Sequence, residues 1–142
     1  MPANPDLGDD QQIADILEQA RRIAVIGMKP SGAAFSVPHY LADHGYEIVP
    51  VNPGYDSVGG LETVEAVDEI DGEVDIVDIF RRSEAIPEHV DQILAMDPAP
   101  KLVWFQLGIR NDEAARRIAE REIPVVQDKC IKVEHGRLRR NR

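Results

Sequence analysis

The sequence predicts an α/β fold: a mostly parallel sheet of five strands, helices on both faces, and room for one short edge strand. Three observations carry that expectation. Runs such as Ile23–Ile26, Glu47–Val51 and Val74–Phe80 are rich in Val and Ile and largely continuous, as strands covered on both faces are. Helix-like segments alternate with these runs along the whole chain. The connections are short and carry Gly, Pro and Asn, so successive elements must pack as neighbours.

In order, Pro2, Pro5 and Gly8 mark residues 1–8 as a loose arm. A helix is expected over Asp10–Ala20, with Ile13, Ile16, Leu17 and Ala20 on one face. Arg22–Gly27 reads as a buried strand stopped by Gly27, and Met28–Phe35 as a turn. The next helix runs from about Ser36 to His44 and ends at Gly45. This places Pro38 in the first turn, where a missing N–H does no harm. Glu47–Val51 is the second strand, followed by the stiff turn Asn52-Pro53-Gly54-Tyr55. Within Ser57–Ile70, Gly59-Gly60 marks a turn, Leu61–Val64 a short edge strand, and Glu65–Ile70 a brief helix at most. Val74–Phe80 is a strand, and Ser83 caps a helix with Pro87 in its first turn that reaches about Met96. Lys101–Phe105, Asn111–Arg121 and Ile123–Gln127 read as strand, helix and strand. One domain over 9–138 and a basic tail at 139–142 complete the division. Right-handed crossovers would gather the C-terminal strand ends, and hence the ligand loops, at one edge of a Rossmann-like sheet.

A chain of 142 residues, 43 % apolar, is long enough for one buried core and too apolar for a disordered segment. Asp and Glu number 26 against 16 Lys and Arg, for a formal charge of −10. That balance opposes non-specific binding to nucleic acid and to anionic lipid, so neither is expected as a partner. Cys130 is the sole cysteine, which excludes an intrachain disulfide. No apolar run is long enough for a bilayer and the start lacks a signal-like core, so a cytoplasmic location is expected.

The strongest chemical signal is the loop after the first strand. Gly27 permits a tight exit, Gly32 a close backbone approach, and Met28-Lys29-Pro30-Ser31 lies between them. A helix starting there would offer free N–H groups and the positive end of its dipole to a phosphate. Lys29 adds charge, and Ser31 and Ser36 add hydroxyl donors. The alternative is an ordinary strand-to-helix turn, with Ser36 as a helix cap and Lys29 solvated. Neither the P-loop spacing nor G-x-G-x-x-G is present, since position 29 is Lys. At the end of the second strand, where a dinucleotide-binding fold places an acid for the ribose, the chain has Asn52 and Pro53. That disfavours NAD, although Asn52 can contact a nucleotide or simply shape a rigid turn.

Taken together, Arg22–Gly27, YEIVPVNPGY (46–55), VDIVDIFRR (74–82), VWFQLGI (103–109) and QDKCIKVEH (127–135) resemble the small CoA-binding protein family related to the CoA-binding domain of succinyl-CoA synthetase. The likeness runs from about Ile13 to Leu138. It implies a Rossmann-type domain carrying coenzyme A or an acyl-CoA across the strand ends. Position by position, it puts Gly27, Met28, Lys29, Pro30 and Ser31, with Ser36, on the phosphate side. Asn52 and Pro53 fall on the adenosine side, Phe80, Arg81 and Arg82 at the next strand end, and Gln106 in the following loop. Guanidinium recognition of phosphate gives Arg81 and Arg82 a physical role, against the alternative of a solvated pair. Gln106 can bind ligand or cap backbone. The implied function is a cytoplasmic carrier, sensor or accessory module, with a second copy or an acyl-CoA metabolic enzyme as partner. The alternatives are a small CoA- or nucleotide-dependent enzyme needing a partner, or an NAD-binding protein.

No catalytic residue is assigned. His39 is expected at the surface, His44 at a helix C-terminus and His89 on a helix surface. Cys130, flanked by Lys129 and Lys132, is chemically able to form a disulfide with the CoA thiol, but a structural role is the favoured reading. Asp75 and Asp78, three apart in a strand, face opposite ways and do not form an acid/base pair. The histidines and Cys130 do not fall in zinc-ligand spacing, so no metal is expected.

Overall fold

The computed structural model describes residues 9–140, so the arm expected at 1–8 lies outside the described residues. The elements are α1 (Asp10–Gln19), β1 (Arg22–Ile26), α2 (Ala33–Asp43), β2 (Glu47–Val51), β3 (Ser57–Val58), β4 (Leu61–Glu62), β5 (Ile76–Ile79), α3 (Ile86–Leu94), β6 (Leu102–Phe105), α4 (Asp112–Ala119), β7 (Val125–Val126) and α5 (Ile131–Arg140). Five strands form one parallel sheet in the order β2-β1-β5-β6-β7. The expected fold is present: a Rossmann-like sheet flanked by helices. β3 and β4 form a small antiparallel hairpin around Gly59-Gly60, and Val64 bridges to Val51 at the outer edge.

The sheet separates two apolar layers, because side chains alternate across a strand. Ile23, Val25, Ile48, Ile76 and Trp104 face α1, α2 and α5, meeting Ile13, Leu17, Leu41, Ile131 and Leu138. Ala24, Ile26, Val77, Ile79 and Phe105 face α3 and α4, meeting Ile86, Val90, Ile93, Ala115 and Ile118. The three central strands, β1, β5 and β6, are buried on both faces, which is why they read as unbroken apolar runs.

Three local expectations change. α2 begins at Ala33 with Gly32 as its N-cap, so Ser36 is a helical residue rather than the cap and Pro38 is interior. A proline there cannot donate to the carbonyl four residues back, that of Ala34. The Lys29 amide donates to that oxygen instead, at 3.3 Å, folding the loop back on the helix it precedes. Ser83 does not cap α3, whose N-cap is Ala85. Its Oγ accepts from the Arg110 amide at 3.0 Å and joins two neighbouring loops. Beyond Gln127 the chain forms α5, with Ile131, His135 and Leu138 buried at helical spacing. Arg139 and Arg140 continue that helix, while 141 and 142 lie outside the described residues. The Tyr40 hydroxyl lies 2.8 Å from His135 Nδ1 and couples α2 to α5.

Asp75 ties the lower edge together. Its Oδ2 accepts from the Arg21 and Arg22 amides at 2.9 and 3.0 Å, and its Oδ1 meets Lys101 Nζ at 3.2 Å. Burial pushes its carboxyl up, but the two amides and Lys101 outweigh that and leave the pKa lowered. Asp75→Ala leaves two partly buried backbone donors without their acceptor and is expected to cost about 1 kcal/mol in chemical denaturation at pH 7. Because the folded pKa is depressed, that contribution is full above the unfolded carboxylate value. It fades as pH falls through the folded one, so the gap between wild type and variant should close in acid. An equal gap at pH 7 and at low pH would contradict this assignment.

Candidate functional site

In this strand order the chain leaves β1 toward β2 on one side and returns to β5 on the other. The crevice outside the carboxyl ends of β1 and β5 is therefore the topological switch point, where open α/β sheets bind ligands. Gly27 closes β1 there. Its amide donates to the Val51 carbonyl at 2.8 Å, and the Phe80 amide donates to the Ile26 carbonyl at 2.8 Å. Gly27 has φ +85°, and a β-carbon on it would collide with the Phe80 carbonyl oxygen and lie 3.1 Å from that carbonyl carbon. Glycine is needed for both the conformation and the closeness of the two strand ends.

Around this contact stand the cations. The stem of Arg81 runs alongside Gly27, with Cδ 3.3 Å from the position of that absent β-carbon. Its guanidinium is 3.5 Å from Glu88 and its side chain 41 % exposed. Arg82 is 82 % exposed and 3.6 Å from Glu84. Such exposed pairs contribute little and exchange readily for a stronger anion. Lys29 is exposed and forms no ion pair among the described residues. Pro30, Ser31 and Ser36 are exposed beside it, at the start of α2, while Met28 is buried in the layer below and Phe80 is half-buried. Lys29 thus follows the end of β1, and Arg81 and Arg82 the end of β5, at one edge of a molecule whose overall charge is negative.

Two other expected residues are committed to structure. Asn52 Nδ2 donates to the Met28 carbonyl at 3.0 Å, and its Oδ1 accepts from the Gly54 amide at 2.9 Å. Asn52 therefore locks the loop after β2 onto the loop after β1, with Pro53 exposed at the turn. Gln106 is buried and its Oε1 accepts from the Ile131 amide at 3.0 Å. Of its two readings, backbone capping is the one formed: it satisfies an orphan donor at the start of α5. Gln127 does similar work in the next loop, accepting from the Asn111 amide at 2.7 Å. His89, expected on a surface, is half-buried, its Nε2 enclosed and without a hydrogen-bond partner among the described residues, and burial lowers its pKa. His44 caps α2 as expected, its Nδ1 lying 2.8 Å from the Tyr40 carbonyl.

Asp78 has a larger consequence than its spacing suggested. It is fully buried on β5 between Val25 and Trp104, its register partners in the layer facing α2 and α5. Neither carboxyl oxygen has a hydrogen-bond partner among the described residues. Burial pushes its pKa well up, only partly offset by the nearby Ile79 amide. A carboxyl whose burial favours the protonated form thus sits inside the central strand two residues before Phe80.

Another cleft lies elsewhere. About 490 Å³ opens between α1 and α5, lined among others by Leu17, His44, Tyr46, His135 and Leu138. It lies at the N-terminal strand ends, away from the glycine turn, the start of α2 and Lys29. Among the described residues no helix is long and apolar enough to cross a membrane, and no three metal-ligating side chains group together.

Gly27→Ala is expected to lose at least about 3 kcal/mol of stability in urea, the sum of a left-handed backbone and a backbone collision. A loss under about 1 kcal/mol would refute the close approach. For Asp78, the folded state keeps a proton that the unfolded chain releases above about pH 4. Wild type should therefore lose stability relative to Asp78→Asn as pH rises from there toward the raised pKa. Parallel stability curves for the two proteins between pH 4 and 8 would show that the carboxyl has a partner.

Residues 21–136 match the CoA binding domain family. The chain is 42 % identical over 127 residues to the uncharacterized protein YneT of Bacillus subtilis (strain 168), covering 88 % of this chain and 93 % of that one. Among solved structures, cell-free ID.343 from Thermus thermophilus is 42 % identical, with a TM-score of 0.86 over 92 % of this chain and 98 % of that chain. A hypothetical protein from Pyrococcus horikoshii OT3 is 33 % identical, with a TM-score of 0.87 over 97 % and 96 % of the two chains. By its matched span and by these full-length likenesses, the chain belongs to the CoA binding domain family.

Proposed function

We propose that this protein binds coenzyme A or an acyl-CoA across the C-terminal strand edge, as a cytoplasmic carrier, sensor or accessory module without catalysis of its own. The observation that carries the reading is the cationic switch point: Lys29 without an ion pair, and Arg81 and Arg82 in weak exposed pairs, around the Gly27–Phe80 approach. A diphosphate seated there would take charge-assisted hydrogen bonds from both guanidinium groups and from Lys29. Ser31, Ser36 and the first amides of α2 supply further donors, with Met28 and Pro30 shaping the loop. Asn52 and Pro53 would border the adenosine, and Phe80 and Gln106 the arm beyond the diphosphate. The kinship to the CoA-binding domain of succinyl-CoA synthetase belongs to the same proposal. An acyl-CoA metabolic enzyme or a second copy of the chain is the expected partner.

NAD fits less well. The side-chain oxygen of Asn52 already accepts from Gly54, and the residues that follow β2, Asn52-Pro53-Gly54-Tyr55, include no acid of the kind that receives the ribose hydroxyls.

Calorimetric titration of ligand-free protein should show saturable CoA binding and much weaker NAD binding at matched salt. Lys29→Ala and Arg81→Ala should each weaken CoA about tenfold, the scale of one lost charge-assisted hydrogen bond. Folded protein that gives no binding signal with CoA, or binds NAD equally well, would sink the proposal.

A further inference from the structure

Beyond the cationic crevice, the same edge carries a second surface of different chemistry. A cleft of about 400 Å³ lies between the loop after β6 and α5, lined by Leu107, Asp128, Lys129, Cys130, Val133, Glu134 and Arg137. Leu107 is 69 % exposed and Val133 60 % exposed, the two most exposed large apolar side chains among the described residues. Both line this one cleft. Its charges balance: Arg137 is paired with Glu134 at 2.8 Å and with Asp10 at 2.9 Å, Asp128 Oδ1 accepts from the Gly108 amide at 2.7 Å, and the exposed Lys129 stands next to Asp128 in the chain. Two carboxylates and two cations leave the lining without net charge, and Leu107 and Val133 give it an apolar surface that suits a hydrocarbon chain better than a phosphate.

The cleft is also preformed. Asp128, at φ +57°, clamps the loop through Gly108, and its own amide donates to the Ile109 carbonyl at 3.1 Å. Trp104 Nε1 donates to the Lys129 carbonyl at 2.7 Å, and Gln106 holds the first turn of α5. These bonds fix both walls from below, while Leu107 and Val133 project from them.

We propose that this cleft is the acyl subsite, and that the physiological ligand is a CoA thioester carrying an apolar acyl chain of a few carbons. The inference rests on the CoA reading above. With the order β2-β1-β5-β6-β7, an elongated ligand lying across the edge puts adenosine at β2 and the diphosphate at β1 and β5. Its thioester end then falls at β6 and β7. Two strand spacings, on the order of 10 Å, separate the cationic crevice from this cleft. An extended pantetheine arm spans that distance. The thioester would lie against the 106–110 loop, and the chain would cover Leu107 and Val133, removing their apolar surface from water. Cys130 lines the wall, and no reaction at its sulfur is required.

The test compares CoA, acetyl-CoA and hexanoyl-CoA by calorimetry on wild type, Leu107→Ser and Val133→Ser. Hexanoyl-CoA should bind wild type at least fivefold more tightly than CoA, with acetyl-CoA between them. Each substitution should erase most of that preference while leaving CoA affinity within about twofold, since both positions are exposed and the fold does not need them. Equal affinity of wild type for all three ligands would overturn the acyl subsite and leave CoA binding standing. No binding of any of them would remove the CoA reading itself, and the subsite with it. If Val133→Ser instead converts a dimer to a monomer by light scattering, with the acyl preference intact, the cleft is a self-association surface and the proposal fails.

Discussion

The arrangement of this protein turns on the meeting of Gly27 with the Phe80 carbonyl. Two parallel strands end side by side at the centre of the sheet, and the chain leaves them in opposite directions. A side chain at position 27 would strike backbone, which cannot rotate away as a flexible side chain can. The absence of that side chain lets the stem of Arg81 lie across the end of β1. It also lets the 28–32 loop turn into α2 without spreading the sheet. The register, the crevice and the placement of the cations all follow from this one approach.

Much of the polar chemistry at the edge supports the crevice from behind. Asn52 joins the first two loops, Gln106 holds the start of α5, and Gln127 holds the turn before α4. Each amide side chain satisfies backbone groups that parallel strands and helix starts leave unpaired. The flexible charged groups, Arg81 and Arg82 in weak exposed ion pairs and Lys29 in none among the described residues, stand on the solvent side. Order sits below and adaptable charge above, which suits a site for an anion in a protein of net charge −10. Asp78 breaks the pattern, as a buried acid in the central strand without a hydrogen-bond partner among the described residues. Burial pushes its pKa up, toward the neutral form that costs less to enclose.

The strands and the apolar helix faces were legible because they follow periodicities that a single chain displays. Val and Ile runs mark strands covered on both faces, and Ile13 and Leu17 mark the inner face of α1. The start of α2 was not legible. Pro38 looks like a first-turn residue until the Lys29 amide is seen meeting the carbonyl that it leaves free. Ser83 has the chemistry of a cap, but its oxygen is taken by the Arg110 amide, a partner 27 positions away. α5 was hidden because its buried face, Ile131, His135 and Leu138, includes a histidine and lies among Lys, Arg and Gly136.

The sequence by itself determined the fold class, the glycine turn after β1, the missing acid at the end of β2 and the family likeness. These are local properties, written in residue type and spacing. Only the tertiary structure decided which polar residues remain available. It turned Asn52 and Gln106 inward as struts, left Lys29 outside an ion pair, and brought Leu107 and Val133 to one cleft. Whether a side chain is committed or free depends on donors and acceptors tens of residues away, and a one-dimensional pattern does not carry those distances.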